Sequence, residues 1–285
     1  MTLREVFQMK FTKMHGLGND FIILDEFREE IPDPLTLAPR MCDHHLGVGA
    51  DGLIIVGPSR QFDFKMRVIN SDGSEAEMCG NGIRCLARHV IETGLTKKTE
   101  FVTESLKAPH IQKVYLDKGK FVNVRTAMGK AVLQRSMIPM LGRDSDRVVN
   151  EELEVDGSRY RITLVNVGNP HCVVFVDDVD RIDLKTIGPK FEHHPLFPNH
   201  INTEFVQVLD KNNLRMRVWE RGSGETMACG TGATASVVAA ILNGLTFDTV
   251  CMHLRYGDLI IEWVGHEELY MTGDAHTVFT GEYIP

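Results

Sequence analysis

Short apolar runs, rich in β-branched residues, recur along the chain and form its first pattern. Each run is bounded by Gly, Pro, Asn or Asp and has the length of a buried strand. The predicted strands are Phe21–Leu24, Leu53–Val56, Met66–Ile69, Val173–Val176, Phe205–Leu209, Met216–Trp219 and Leu259–Val264. Residues 95–120 are instead polar and rich in Lys, which is typical of a solvated edge.

Two segments predict helices. One begins near Cys79 and stops at Gly94, and the other begins near Cys229 and stops at Gly244. Glycine just past the last helical residue is a common helix end. The second segment is almost wholly apolar and small, and a helix without a polar face is buried. The simplest architecture therefore wraps strands around one central helix, twice.

The chain contains one segment twice. Residues 65–94 (KMRVINSDGSEAEMCGNGIRCLARHVIETG) and 215–244 (RMRVWERGSGETMACGTGATASVVAAILNG) align at a constant offset of 150 without a gap. The identical pairs are Met66/Met216, Arg67/Arg217, Val68/Val218, Glu75/Glu225, Cys79/Cys229, Gly80/Gly230, Gly82/Gly232, Ile91/Ile241 and Gly94/Gly244. The same offset places Gly18-Asn19 on Gly168-Asn169. A repeat this long exceeds a solenoid unit and predicts two related domains, joined near residues 125–130.

Composition is that of a globular protein that binds neither nucleic acid nor membrane. The 285 residues are 43% hydrophobic and 25% charged, enough for two domains with a core each. A net charge of −8 argues against a nucleic-acid partner. No apolar stretch approaches the roughly 18–20 residues of a membrane span, and MTLREVFQ lacks the features of a secretory signal. Residues 1–8 are interpreted as an extension before a first strand at Met9.

The six cysteines predict free thiols in a reducing cytoplasm. No C-x-x-C spacing occurs, and an even count in a chain this long is poor evidence for a disulfide framework. Buried, unreactive side chains are the expectation for Cys42, Cys85, Cys172 and Cys251. His44-His45 and His193-His194 lack metal-ligand spacing and are expected in loops or on the surface, so no metal site is predicted.

Cys79 and Cys229 are different because both precede Gly-x-Gly at a helix start. The first turn of a helix presents unpaired N–H groups and about half a positive charge. Glycine lets those groups approach a ligand closely, so a carboxylate can bind there. The same environment favours a cysteine thiolate.

Two such helix starts facing each other would hold one carboxylate, with its α-carbon between two sulfurs. One thiolate would remove the α-proton, and the other thiol would deliver a proton to the opposite face. The charge that develops on the carboxylate oxygens would meet backbone donors already in place. The pattern therefore predicts racemisation or epimerisation without a cofactor.

Several strings resemble the diaminopimelate epimerase family: MHGLGNDFIILD, GVGADGLIIV, NSDGSEAEMCGNGIRC, NVGNPHCVVFVDD, ERGSGETMACGTG and LYMTGDAHTVFTGEY. The resemblance runs from about Met9 to the C-terminus. It implies an enzyme, independent of pyridoxal phosphate, that interconverts LL- and meso-diaminopimelate for lysine and peptidoglycan synthesis. It also implies an α/β (α+β) fold of two pseudo-symmetric domains, 9–127 plus 272–285 and 128–271, each with a barrel-like sheet around a central helix. A homodimer is compatible with the family.

The resemblance also implies roles for individual residues. Cys79 and Cys229 would be the acid/base pair, with His171 and Glu220 as candidates to set a thiol's protonation state. Backbone N–H groups of Gly80, Asn81, Gly230 and Thr231 would hold the reacting carboxylate. The remaining substrate-binding residues would be Asn19, Asn70, Asn169, Asn202, Glu220 and Arg221. Arg221 can clamp a distal carboxylate with two hydrogen bonds. Gly52 departs from family members that carry Gln there.

Other interpretations stay open at the level of residues and of function. Asn19, Asn169 and Asn202 could be turn residues, Glu220 and Arg221 a surface pair, and His171 a core histidine. The same chemistry could serve a racemase of another amino acid. Two nearby thiols could also form a redox couple, and the glycine-rich helix starts could bind a carboxylate without chemistry.

Overall fold

The computed structural model describes residues 8–142 and 147–284, so the predicted extension lies outside the described residues except for Gln8. The strands are β1 (Met9–Gly16), β2 (Asn19–Asp25), β3 (Gly52–Gly57), β4 (Phe64–Asn70), β5 (Glu75–Ala76), β6 (Glu100–Glu104), β7 (Pro109–Asp117), β8 (Lys120–Lys130), β9 (Glu151–Val155), β10 (Ser158–Asn166), β11 (Pro170–Phe175), β12 (Asn202–Val208), β13 (Asn213–Glu220), β14 (Gly224–Thr226), β15 (Thr249–Leu254), β16 (Gly257–Glu262), β17 (Glu268–Gly273) and β18 (His276–Tyr283). The α-helices are α1 (Pro34–Cys42), α2 (Gly80–Glu92), α3 (Leu184–Glu192) and α4 (Gly230–Leu242). Short 3-10 turns cover Arg135–Met137, Val179–Arg181 and Val264–His266. The predicted mixed α/β class is confirmed.

The chain divides into two compact units, between Thr126 and Ala127 and again between Gly273 and Asp274. The first unit therefore includes β18, which pairs antiparallel with β1. The first division falls inside strand β8, whose residues 120–126 pair with β7. This division lies within the predicted junction near 125–130, although the backbone there is a continuous strand and not a loop.

The two units repeat the same order of paired strands, although β18 comes last in the chain whereas its counterpart β9 directly precedes β10. In the first unit, neighbouring strands follow the order β18, β1, β2, β3, β4, β6, β7, β8, with β2–β3 and β4–β6 parallel. In the second, the order is β9, β10, β11, β12, β13, β15, β16, β17, with β11–β12 and β13–β15 parallel. Helices α1 and α3, and α2 and α4, are also related by the offset of 150. The internal repeat therefore extends well beyond the segments that resemble each other in sequence.

Helix α2 is the centre of the first unit. It contacts strands β1, β2, β3, β4 and β18, and its buried side chains join one core with Phe21, Ile23 and Ile54. The opposite faces of β2 and β3 pack with α1 in a second core, through residues such as Ile22 and Leu53. Because this parallel pair is covered on both faces, its strands are continuously apolar rather than alternating.

Helix α4 has the corresponding place in the second unit. It contacts seven strands, β10 to β13 and β15 to β17, and its residues from Gly230 to Ala240 are buried except Thr231. The prediction of a buried helix without a polar face is confirmed. Gly94 and Gly244 follow the two helix ends with φ of 71° and 67°, a conformation that glycine adopts without strain.

The structure also contains elements that the pattern did not predict. Helices α1 and α3 are short and each has an internal proline, Pro39 and Pro189. Residues 95–120 contain β6 and β7, where buried and exposed side chains alternate. The predicted strand Leu259–Val264 ends at Glu262. None of the helices in the described ranges is long and apolar enough to cross a membrane.

Candidate active site

The two repeated cysteines adopt the same local geometry. Cys79 and Cys229 are the N-cap residues of α2 and α4, with extended backbones of φ −137° and −124°. Each sulfur accepts the N–H of the glycine three residues later, Gly82 or Gly232, at 3.3 Å. We call Cys79–Gly82 the first helix start and Cys229–Gly232 the second. In both, the first turn of the helix directs backbone N–H groups toward the cysteine, and a helix N-terminus of this kind can bind an anion.

The first helix start gathers three of the predicted residues. Asn19 Oδ1 accepts from Asn81 Nδ2 at 3.1 Å and lies 3.9 Å from Cys79 Sγ. Asn19 follows a two-residue hairpin turn at Leu17-Gly18, where φ is 57° and 84°. Its Nδ2 donates to Asp51 at 2.7 Å. The turn and the aspartate together fix the amide oxygen toward the cysteine.

A buried arginine, not predicted from the sequence, supports the same helix start. Arg84 is fully buried and donates to Gly80 O, to Asn81 Oδ1 and to Asp274 O, each at 2.9 Å. Burial lowers the pKa of Arg84, while the nearby Cys79 acts in the opposite direction. A cation close to a cysteine favours its thiolate form.

The second helix start is more enclosed and more acidic. Cys229 is 5% exposed and its sulfur lies 3.4 Å from Thr231 Oγ1. Burial raises the pKa of the Cys229 thiol well above its usual value, and the carboxylates of Glu220 and Glu204 raise it further. The hydrogen bonds from Thr231 and Gly232 act against this shift without cancelling it. The thiol form is therefore favoured here.

Glu220, predicted as an auxiliary acid or base, lies beside Cys229 at the end of β13. Its carboxylate accepts from the hydroxyl of Thr226 and interacts with the Cys229 thiol. Burial raises the pKa of Glu220. Among the described residues it forms no ion pair with Arg221, so the alternative of a surface pair gains no support.

His171 is buried and hydrogen-bonded, which agrees with the interpretation as a core histidine and leaves its auxiliary role a prediction. Its ring is fully buried, with Nδ1 2.7 Å from Glu204 Oε1 and Nε2 2.9 Å from Asn169 Oδ1. An imidazolium can donate to both oxygens, whereas a neutral ring donates to one. Asn169 and His171 were predicted from the sequence. Glu204, which is also fully buried, was not.

Two other predicted binding residues, Asn202 and Arg221, are connected to each other by a hydrogen bond. Asn202 Nδ2 donates to Pro170 O at 2.8 Å, and its Oδ1 accepts the backbone N–H of Arg221 at 2.9 Å. The exposed side chain of Arg221 donates to Asn199 O at 2.9 Å. Asn202 thus orders the backbone from which Arg221 projects.

Asn70 ends strand β4 with an exposed side chain that donates to Ser74 Oγ at 2.9 Å. Its cross-strand neighbour is Gly52. A Cβ added to Gly52 would lie 2.7 Å from the carbonyl oxygen of Ile69. Glycine therefore suits this close approach of backbones, and a glutamine here would require the strands to shift.

Cysteines and histidines outside the helix starts have local explanations. All six cysteines lie in the described ranges and are free. Burial raises the pKa of Cys42 and of Cys85 to about 12, and that of Cys172 well above its usual value. Cys251 is partly exposed, on β15. His44-His45 occupy an exposed turn, whereas His193 is exposed and His194 partly buried.

Two groups of potential metal ligands occur in the second unit, Glu192/His193/His200 and Cys251/His253/Asp258. Hydrogen bonds account for both. The Glu192 carboxylate accepts from Trp219 Nε1 at 2.6 Å and from Gly222 N at 2.8 Å. Asp258 Oδ1 lies 2.8 Å from Nδ1 of His253, an ordinary hydrogen-bonded pair.

Solved structures with the same fold are only distantly similar in sequence. A phenazine biosynthesis protein of the PhzF family from Bacillus anthracis has a TM-score of 0.70 at 14% identity, over 98% of this chain and 100% of that one. A hydroxyproline epimerase from Agrobacterium vitis has a TM-score of 0.70 at 12% identity, over 99% and 93%. The protein therefore shares the fold of these proteins.

Closer relatives define the family. The family model for diaminopimelate epimerase matches residues 11–134 and 163–278. A diaminopimelate epimerase of Pelotomaculum thermopropionicum is 52% identical over 277 residues, or 96% of this chain and 99% of that protein. One of Acetivibrio thermocellus is 48% identical over 275 residues, or 96% and 98%. The chain belongs to the diaminopimelate epimerase family, so the predicted family and its enzyme class, an isomerase, are confirmed.

Proposed function

We propose that the protein interconverts LL- and meso-diaminopimelate by proton transfer between the α-carbon and two cysteines, Cys79 and Cys229. The observation that carries this proposal is the repeated geometry of the helix starts. In both units a cysteine caps a helix, its sulfur accepts the backbone N–H three residues later, and the first turn of the helix directs its N–H groups toward the same end. Identity of about 50% to diaminopimelate epimerases supports the substrate.

In the proposed reaction the thiolate of one cysteine takes the α-proton, so a C–H bond breaks and an S–H bond forms. The electron pair left on carbon is delocalised into the carboxylate. The thiol of the other cysteine then gives its proton to the opposite face of the α-carbon, and this second cysteine becomes a thiolate. The reverse reaction exchanges the two roles. No cofactor is required, because backbone donors at the helix starts stabilise the charge on the carboxylate.

The other predicted residues are assigned to binding. Gly80, Asn81, Gly230 and Thr231 would hold the reacting carboxylate through backbone N–H groups. Asn19, Asn70, Asn169, Asn202 and Glu220 would bind the amino groups, and Arg221 the distal carboxylate. In support, Asn202 fixes the backbone at Arg221 and leaves its guanidinium exposed. Replacing Arg221 by Leu should therefore raise KM for diaminopimelate strongly, and unchanged kinetics would remove this role.

The biological setting follows from the reaction. Diaminopimelate epimerisation serves lysine and peptidoglycan synthesis, and the presence of six free thiols suits a reducing cytoplasm. We further propose that residues 9–127 with 272–285, and residues 128–271, act as the two catalytic domains, and that the enzyme can form a homodimer.

Exchange of the α-proton in deuterated water tests the function directly. Purified reduced protein, without pyridoxal phosphate, is incubated with LL-diaminopimelate, and in parallel with trans-4-hydroxyproline, proline and glutamate. Loss of the α-proton NMR signal with diaminopimelate alone is the expected result. Exchange of another amino acid alone would keep the chemistry and move the assignment to a different racemase. Absence of exchange with all of them, from folded protein, would contradict the proposed function.

A further inference from the structure

The second unit carries a buried, hydrogen-bonded histidine–glutamate pair where the first unit carries two apolar side chains. At the offset of 150, His171 corresponds to Phe21 and Glu204 to Ile54. The strand registers agree, since Phe21 pairs with Gly52 as His171 pairs with Asn202. Phe21 and Ile54 belong to the core around α2. The His171–Glu204 pair is therefore a polar replacement inside an otherwise equivalent core.

Glu204 lies directly beneath the second helix start. A Cβ added to Gly232, whose N–H bonds Cys229 Sγ, would lie 2.6 Å from Glu204 Oε1. In the first unit, a Cβ on Gly82 would meet Ile54 Cδ1 at 2.8 Å, so the two side chains occupy the same place under their helices. The Glu204 carboxylate is therefore the part of the histidine–glutamate pair that lies next to the second helix start.

The pair is costly to bury, and its carboxylate is incompletely satisfied. His171 and Glu204 are both fully buried. Glu204 Oε2 has no hydrogen-bond partner among the residues that the structure describes. Buried charges that lack full compensation destabilise a fold relative to apolar side chains of similar size, such as those in the first unit. This asymmetry indicates a role other than stability.

We propose that Glu204 is a positioning residue that orients His171 and holds Cys229 in its protonated form, which makes Cys229 the acid and Cys79 the base of the free enzyme. The titratable groups around Cys229 are Glu204 on β12, Glu220 on β13 and His171 on β11. Glu204 also interacts electrostatically with Cys172. Around Cys79 the corresponding charge is the Arg84 cation. The assignment of acid and base rests on the proposed function, whereas the charge state of each thiol does not.

Ionisation of the two thiols can be followed by NMR in the full-length free enzyme labelled with ¹³C at the cysteine β-carbons. This readout does not require a reagent to reach the buried sulfur. Signals are assigned with Cys79→Ser and Cys229→Ser. Cys79 is expected to ionise at lower pH than Cys229. If Cys229 ionises first, or both ionise together, the proposal is overturned without any substitution at Glu204.

Glu204→Gln should lower the ionisation midpoint of Cys229 by about one pH unit, the size expected for loss of one nearby carboxylate. The ionisation midpoint of Cys79 should not change. The double variant His171→Phe, Glu204→Ile installs the apolar pair of the first unit and should lower the midpoint of Cys229 as well. Glu192→Gln is the matched control, because Glu192 is another buried glutamate of the same unit, bound to Trp219 and Gly222. A Cys229 midpoint that stays or rises in both Glu204 variants contradicts the proposal.

A kinetic readout separates this role from a structural one. In the direction that uses Cys229 as acid, the alkaline limb of kcat/KM against pH reports ionisation of that acid in the free enzyme. Glu204→Gln should shift this limb down by about one pH unit, whereas a merely less stable enzyme would lose activity without a shift. If α-proton exchange fails while the thiol titrations behave as expected, the proposed function is wrong and the electrostatic role of Glu204 stands.

Discussion

The first and second helix starts share a backbone but differ in the charges that surround them. Both place a cysteine sulfur 3.3 Å from the N–H of a helical glycine. Beneath the first lie Phe21, Ile54 and the Arg84 cation, whereas the second has His171, Glu204 and, in place of Arg84, Thr234. An internal repeat has thus kept its scaffold and diverged in electrostatics.

The difference matches what a reaction with two bases requires. One sulfur must begin as a thiolate and the other as a thiol, since two thiolates cannot donate and two thiols cannot abstract. A cation near Cys79 and carboxylates near Cys229 favour that division. Under the proposed mechanism, identical helix starts would have no preference, so the divergence of the buried side chains is as relevant to that mechanism as the repeated cysteines.

The largest expected effect is loss of either sulfur. Cys79→Ala and Cys229→Ala should each reduce the rate of epimerisation by on the order of 10³-fold, because one face of the α-carbon then lacks its proton donor or acceptor. Rates are measured by following the conversion of LL- to meso-diaminopimelate, with circular dichroism to establish folding. Cys251→Ala, a partly exposed cysteine outside both helix starts, is the control. Near wild-type activity in either variant would remove that cysteine from the mechanism.

The next effect concerns the residues related by the offset at positions 84 and 234. Arg84→Met leaves Gly80 O, Asn81 Oδ1 and Asp274 O without their buried donor, so the free energy of unfolding should fall by about 3 kcal/mol. Thr234→Val removes one neutral bond, to Gly230 O at 2.9 Å, and should cost about 1 kcal/mol. Urea denaturation compares the two. Equal losses would show that Arg84 is no more important to its helix than Thr234.

A smaller difference is expected between the two helical glycines. Alanine is better than glycine in a helix by up to about 1 kcal/mol. At Gly82 the added methyl meets Ile54 Cδ1, the flexible end of an apolar side chain, so Gly82→Ala should change stability by less than about 1 kcal/mol. At Gly232 it meets the Glu204 carboxylate, which is bound to His171, so Gly232→Ala should cost about 2 kcal/mol. Thermal unfolding distinguishes them, and a greater loss at Gly82 would contradict the assigned places of Ile54 and Glu204.

The features predicted from the sequence were those carried by local pattern. Neighbouring residues specify the two cysteines, the helices that follow the cysteines and the glycines that end those helices. The internal repeat shows each of these features twice. Helices α1 and α3 were missed because they are short and contain Pro39 and Pro189, which predict a break in any helix. Pro39 and Pro189 are related by the same offset of 150. Extending the repeat to these residues would have indicated that the two segments have a related structure.

Glu204 and Arg84 were missed for a different reason. Neither has a local signature, since a single glutamate in NTEFVQV fits an ordinary alternating strand and an arginine in α2 fits an exposed helical face. Their burial depends on contacts made by distant segments, such as Asp274 with Arg84. The offset of 150 could have identified Glu204, because it aligns a charged residue with Ile54 of an apolar run.

The smallest expected effect lies in an ion pair present in both units. Arg67 binds Glu75 at 2.8 and 3.1 Å, and Arg217 binds Glu225 at 2.9 and 2.8 Å. Partly exposed pairs contribute about 0.2–1 kcal/mol, so Glu75→Gln should lower the free energy of unfolding at pH 7 by no more than this. Arg67 holds the pKa of Glu75 below its usual value. The contribution is therefore complete above the unfolded-state pKa and is lost as pH falls through the lower folded-state pKa.

Arginine substitutions sharpen the same comparison. Arg217 also donates to Val179 O and Ile182 O at 2.9 Å, whereas Arg67 makes no bond to a backbone carbonyl among the residues that the structure describes. Arg217→Leu leaves two carbonyl acceptors and a carboxylate without their donor. It should therefore lower the free energy of unfolding by about 1 kcal/mol more than Arg67→Leu does. Urea denaturation of the two variants at pH 7 measures the difference. Equal losses would mean that the second unit gains nothing from these carbonyl bonds, and that the two pairs, unlike the two helix starts, have remained equivalent.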